Sequence, residues 1–163
     1  MFRPYHNTSI NKGYWGIPTT TSPPHEKWFE YSPYIAEFWS TLSCAGFFVI
    51  SFKGLMVNNS DNLYIYLAIG LCGIASALSH ITVKRSMLWF DYLGIVCNGL
   101  ALMTNLSAVT YTLYNTNIVY AGLLTGLMGM WDVYNKYHAV KKYPFVHSLW
   151  HLSVAYMMSH FIY

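Results

Sequence analysis

Residues 63–83 read LYIYLAIGLCGIASALSHITV, and this run decides the fold class. It contains no Asp, Glu, Lys or Arg and supplies the roughly 20 apolar residues that a bilayer-spanning helix needs. Two polar positions near its carboxyl end, Ser76 and His80, lie one helical turn apart and so face the same way. Ionisable groups inside a membrane are costly, which makes them candidates for function.

The same bias runs through the whole chain of 163 residues, of which 55% are hydrophobic and only 9% charged. This is the composition of one membrane domain, not of a soluble globule. Four further apolar segments cover residues 36–56, 88–113, 117–136 and 145–163, giving five expected spans. The expected fold is an all-α membrane protein: residues 35–163 form a polytopic bundle of about five transmembrane helices, and residues 1–34 form a short polar, aromatic N-terminal arm. Pro18, Pro23, Pro24 and Pro33 interrupt any continuous helix in that arm, which is expected to cover one membrane face. The arm does not read as a signal peptide, so the first span is expected to direct its own insertion.

Composition also excludes some roles. Cys44, Cys72 and Cys97 all fall within spans and lack the paired spacing of a thiolate metal site. The formal charge is +3, and the basic residues form no aromatic-interleaved stripe, so nucleic acid is not an expected partner. The 15 Tyr and 6 Trp fit interfacial aromatic belts. Gly122, Gly126 and Gly129 give the fourth span a small-residue face suited to close helix approach.

Short links at Asn58–Asp61, Lys84–Ser86, Asn115–Asn117 and residues 137–144 make sequential helices antiparallel. Counting crossings then brings His80, at the end of the second span, to the same membrane face as Asp91 and His147, at the starts of the third and fifth. His151 lies one turn deeper than His147 on the same helix face. Arg3, Lys12, Lys27, Lys84, Arg85, Lys136, Lys141 and Lys142 gather on that face, and Lys53 alone lies towards the other. The positive-inside rule therefore places the amino terminus and these residues on the cytosolic side.

Catalytic zinc commonly takes three protein ligands and keeps a fourth position for water, whose pKa falls to about 7. His80, His147 and His151 supply such a set. The His147-x-x-x-His151 pair alone reads equally well as two interfacial histidines, and the remote His80 on the same face is what favours a metal. Asp91, eleven residues after His80, is placed to act as general base on a water, or else to pair with Lys84 or Arg85. Ser76 is a candidate hydrogen-bond donor to that water or to an oxyanion, with helix packing as its ordinary alternative. His6, His25, His138 and His160 have no comparable partners and read as interfacial or packing residues.

Ser76-x-x-x-His80, Asp91 and His147-x-x-x-His151, in this order and at this depth, resemble the zinc motif of the alkaline ceramidase superfamily of intramembrane hydrolases. Gly13-Tyr14-Trp15-Gly16 and Tyr34-Ile35-Ala36-Glu37-Phe38-Trp39-Ser40-Thr41 are similar to alkaline ceramidases in particular. The resemblance implies an endomembrane (ER- or Golgi-like) amidase that cleaves ceramide to a sphingoid base and a fatty acid. It makes His80, His147 and His151 zinc ligands, with Asp91 and Ser76 beside the water.

The chain departs from that family in two respects. The family usually has seven spans, and the stretch between Asp91 and His147 is short by two, which preserves helix parity but leaves less wall around a lipid. The cavity is then either open to the bilayer or completed by a second subunit, as in a homo-oligomer. At the family's calcium site Glu26 and Glu37 match, while the aspartate, tryptophan and asparagine positions are Pro23, Pro24 and Trp28. Glu30 is a substitute ligand, and calcium dependence is expected to be weak or absent. Two other functions fit the same residues: a membrane receptor or sensor with structural zinc, and a lipid esterase or phospholipase.

Overall fold

A computed structural model describes residues 13–16, 19, 24–57, 63–104, 110, 116–138, 143 and 145–160. The described residues are helical apart from turns and two isolated bridges, Gly13 with Gly16 and Ser32 with Ile35. The helices are α1 (Phe38–Ser43), α2 (Ala45–Val57), α3 (Leu63–Thr82), α4 (Arg85–Met103), α5 (Thr116–Tyr137) and α6 (Val146–Ser159).

Three stretches are long and apolar enough to cross a membrane: Phe38–Val57, which is α1 and α2 joined through Cys44, then α3, then α4. Five spans were expected. Helix α5, at 22 residues, reaches about 33 Å, but Asp132, Asn135 and Lys136 make it more polar than the three. The described part of α6 has 14 residues, about 21 Å. The expected third span, 88–113, begins earlier, at Arg85, and its continuous helix stops at Met103, capped by Thr104. Beyond Thr104 only the helical Thr110 of that segment is described. The turn at 58–61, Asn115, the link at 139–142 and Pro144 lie outside the described residues, as do Arg3, His6, Lys12, Pro18 and Pro23.

The first span starts at Phe38 and not at residue 36 because the preceding amides are engaged elsewhere. Ala36 N–H donates to the Ile81 carbonyl and Glu37 N–H to the His80 carbonyl, each at 3.0 Å, and Thr19 N–H donates to Val83 at 3.2 Å. The last carbonyls of any helix lack intrahelical donors. Here the arm supplies those donors, and so the arm is fastened to the end of α3 that carries His80.

Apolar packing reinforces the junction, with Phe29, Ala36 and Val83 forming a small buried cluster. Phe29 and Val83 both adopt left-handed backbone conformations (φ 55 and 48), uncommon for bulky side chains and held here by burial against each other. The Gly13–Gly16 motif closes a turn, with Gly16 N–H bonded to Gly13 O at 3.0 Å and Gly16 at φ 80, where glycine carries no Cβ penalty. Tyr14 N–H and Trp15 Nε1–H then dock this turn on the carbonyls of Pro33 and Tyr34, at 2.7 and 2.8 Å.

In space the helices follow the order α4, α3, α1 with α2, α6, α5, each packed on the next. Their shared core is Cys44, Phe47, Ile65, Tyr66, Ile69 and Met158. Gly54 admits the Tyr66 ring where any Cβ would collide with it, which sets the close α2–α3 approach. The small-residue face of α5 is used in part: Gly129 meets Trp150 and Gly122 meets Met157, while Gly126 faces open space. Helices α4 and α5 do not touch among the described residues, so the described helices are arranged as a crescent.

Candidate metal centre

His80 on α3 comes together with His147 and His151 on α6. All three are buried, and a ring nitrogen from each lies within 4.8 Å of the others. The closest approach is 3.2 Å, between His147 Nε2 and His80 Nε2.

The hydrogen bonds on the opposite ring nitrogens assign the protons. His80 Nδ1 lies 2.7 Å from Glu37 Oε2, and His147 Nδ1 lies 2.8 Å from Asp132 Oδ2. A carboxylate only accepts, so both histidines carry the proton on Nδ1. His151 Nδ1 is 2.8 Å from Ser43 Oγ, whose single hydrogen is committed to the Ser40 carbonyl at 2.7 Å. Ser43 must therefore accept, and His151 too is protonated on Nδ1.

In the neutral rings Nε2 is then the acceptor, and the Nε2 atoms of His80 and His147 face each other inside a buried space. Two ring nitrogens at 3.2 Å need a proton or a metal ion between them, and Glu37 and Asp132 supply two negative charges that would balance a divalent ion. Imidazole nitrogens whose other N–H is tied to a carboxylate are the usual donor set for zinc. The residues present fit the metal that the sequence implies.

The remaining expected residues lie beside this cluster. Asp91 is buried on α4, accepts from Ser79 Oγ at 3.3 Å, and keeps Oδ1 buried without a hydrogen-bond partner. Ser76, also buried, presents its hydroxyl to the same carboxyl group, which lies within electrostatic reach of His80. The partners of Asp91 are hydroxyls, where the sequence had offered Lys84 or Arg85 as an alternative.

Glu26 and Glu37, the two positions that match the family's calcium site, are both buried and both bonded by the chain's own N–H groups. Glu26 accepts from the amides of Trp39 (3.0 Å) and Ser40 (2.8 Å). Burial raises its pKa against the pull of those bonds. Glu37 Oε1 accepts from His25 N–H (3.1 Å) and Trp28 Nε1–H (3.3 Å), leaving Oε2 for His80. Glu30 is exposed and pairs with Lys27 at 3.8 Å.

Sequence reading missed three contributors. Asp132, on α5, is the carboxylate that holds His147; an acidic residue inside an apolar run was a signal in its own right. Ser43 carried no signal beyond being a serine in a span. His25 was read as a packing or interfacial residue, yet its ring stacks on His147 at 3.6 Å between centroids and its Nδ1 lies 3.3 Å from Asp132 Oδ1.

Fold and site together define an all-helical membrane protein with a buried cluster of three metal-competent histidines. In sequence the chain is similar to alkaline ceramidase 3 of Mus musculus, at 33% identity over 90 residues, which cover 52% of this chain and 34% of that protein. The chain therefore spans about a third of the length of this relative. No family model and no solved structure matches it.

Proposed function

We propose that the chain is a zinc-dependent intramembrane amidohydrolase that cleaves ceramide into a sphingoid base and a fatty acid. The observation that carries this reading is the convergence of a ring nitrogen from each of three buried histidines, in a cluster within electrostatic reach of a buried carboxylate, Asp91, that keeps one oxygen without a hydrogen-bond partner. A zinc ion held by His80, His147 and His151 would supply Lewis acidity and lower the pKa of water to about 7.

Asp91 has the free acceptor a general base requires: it takes a proton from the attacking water and returns it to the leaving amine. Ser76 and Ser79 orient that carboxylate through their hydroxyls. Glu37, Asp132 and Ser43 hold the three imidazoles so that no ring turns its N–H inward. Structural zinc is normally four-coordinate with protein ligands only; among the described residues the three histidines form a set with no fourth protein ligand. This supports the hydrolase over the receptor reading.

In this reading α5 and α6 are the fourth and fifth spans, and the site lies on the cytosolic face. The N–H donors on Glu26 and Glu37 take over the role of a bound cation, which supports a calcium-independent centre. The sequence similarity to alkaline ceramidase 3 supports ceramide as substrate over an ester lipid.

The test is purified Asp91→Asn protein supplied with ceramide. It should retain one zinc per chain while fatty-acid release falls by at least about 100-fold, the usual minimum share of a general base. Full activity in the variant, or in metal-free wild type, would sink the proposal.

A further inference from the structure

His25 belongs to the arm, yet it is wired into the histidine cluster by three contacts. Its ring stacks on His147 with 28° between planes, its Nδ1 faces Asp132 Oδ1 at 3.3 Å, and its Nε2 lies 3.0 Å from Lys136 Nζ. An ammonium group only donates, so His25 Nε2 is the acceptor and its proton sits on Nδ1. That proton goes to Asp132 Oδ1, while Oδ2 takes the Nδ1 proton of His147.

The donors converge on Asp132: Lys136 donates to His25 and His25 to Oδ1 from one side, and His147 donates to Oδ2 from the other, which leaves Nε2 as the acceptor of the His147 ring. The carboxylate of Asp132 is gripped from both sides, which fixes its plane. The stacked ring fixes the plane of His147. Neither constraint comes from α6, the helix that carries His147.

We propose that His25 and Lys136 are positioning residues of the metal centre: the arm, acting through Asp132 and the ring stack, sets the tautomer and orientation of His147 and with them the affinity for zinc. The inference rests on the zinc reading of the three histidines. A second cation among His25, Asp132 and His147 is the competing account, since their ligand atoms also lie within 4.8 Å of one another. It would require His147 to give up its Nδ1 proton and would bring a metal beside the Lys136 ammonium, 3.0 Å from His25. Both features disfavour it.

Two substitutions at position 25 separate the contacts. His25→Phe keeps a ring on His147 and removes both hydrogen bonds; His25→Asn keeps an N–H donor at the place of Nδ1 and removes the ring. Zinc per chain, zinc Kd by chelator competition, and the visible spectrum of the cobalt(II)-substituted protein are measured for each variant and for wild type.

We expect one zinc per wild-type chain, a Kd about 10- to 100-fold weaker in His25→Phe with an altered cobalt spectrum, and substantial rescue in His25→Asn. Should His25→Phe fail to fold, Lys136→Met carries the same test, with a weaker Kd expected at unchanged stoichiometry. Wild-type Kd and spectrum in His25→Phe, or in Lys136→Met where that variant stands in, would overturn the inference and leave the zinc reading standing. Two zinc ions in wild type falling to one would overturn it in favour of a second metal. A wild type that binds no zinc would overturn both.

Discussion

Glu37 holds His80 at two points: its backbone N–H donates to the His80 carbonyl at 3.0 Å, and its Oε2 receives the His80 Nδ1 proton at 2.7 Å. One residue thus terminates helix α3 and orients the imidazole at its end. The start of the first span and the geometry of the site are therefore a single structural event.

Glu37→Gln separates these roles. The backbone bond survives and the negative charge is lost; with the amide oxygen turned to His80, the amide NH2 takes the place of Oε1 and the His25 and Trp28 N–H groups lose their acceptor. We expect a folded protein whose zinc Kd is about 10- to 100-fold weaker, the usual effect of losing a carboxylate behind a metal-bound histidine. Chelator competition on purified protein measures it, and an unchanged Kd would show that charge at this position is irrelevant.

Ser43→Ala removes the nearest acceptor of the His151 N–H and leaves Cys44 Sγ at 3.7 Å as a weak substitute. A buried donor left unpaired costs about 1–3 kcal/mol, and the ring becomes free to turn its N–H inward. Thermal unfolding should show this loss in the apo protein and a larger difference with zinc present, because the variant also binds metal less well. Equal losses in both forms would confine Ser43 to packing.

Zinc removal should lower thermal stability in wild type. At free zinc 100-fold above Kd, binding to the native state contributes about 2.7 kcal/mol. A His151→Ala protein, lacking one ligand, should show little change when zinc is stripped. Scanning calorimetry in detergent with and without chelator compares the two, and matching shifts would argue that the histidines are not the ligands.

Gly16→Ala places a Cβ at φ 80, which costs about 1–2 kcal/mol and loosens the turn that docks on Pro33 and Tyr34. Faster hydrogen exchange at Tyr14 and Thr19 is expected, with the amides inside α3 unaffected. Protection equal to wild type at Tyr14 would mean that the turn tolerates the side chain.

Much of this centre was legible in the sequence because membrane helices obey simple rules. Apolar run length marks α3, and helical spacing alone pairs Ser76 with His80 and His147 with His151. The boundary of α4 was less legible, because nothing local to residues 85–87 marks them as helical against an apolar run that starts at 88.

The identities of the helix-borne histidines and of Asp91 follow from the chain alone, since spacing along a helix dictates which side chains share a face. Which nitrogen of each histidine is bare depended on partners far away in sequence: Glu37 is 43 residues from His80, and Ser43 is 108 from His151. His25 is 107 residues from Asp132. Contacts of that kind arise from how the crescent folds and how the arm seats on it, and hydrogen-bond geometry, unlike helical periodicity, leaves no local pattern to read.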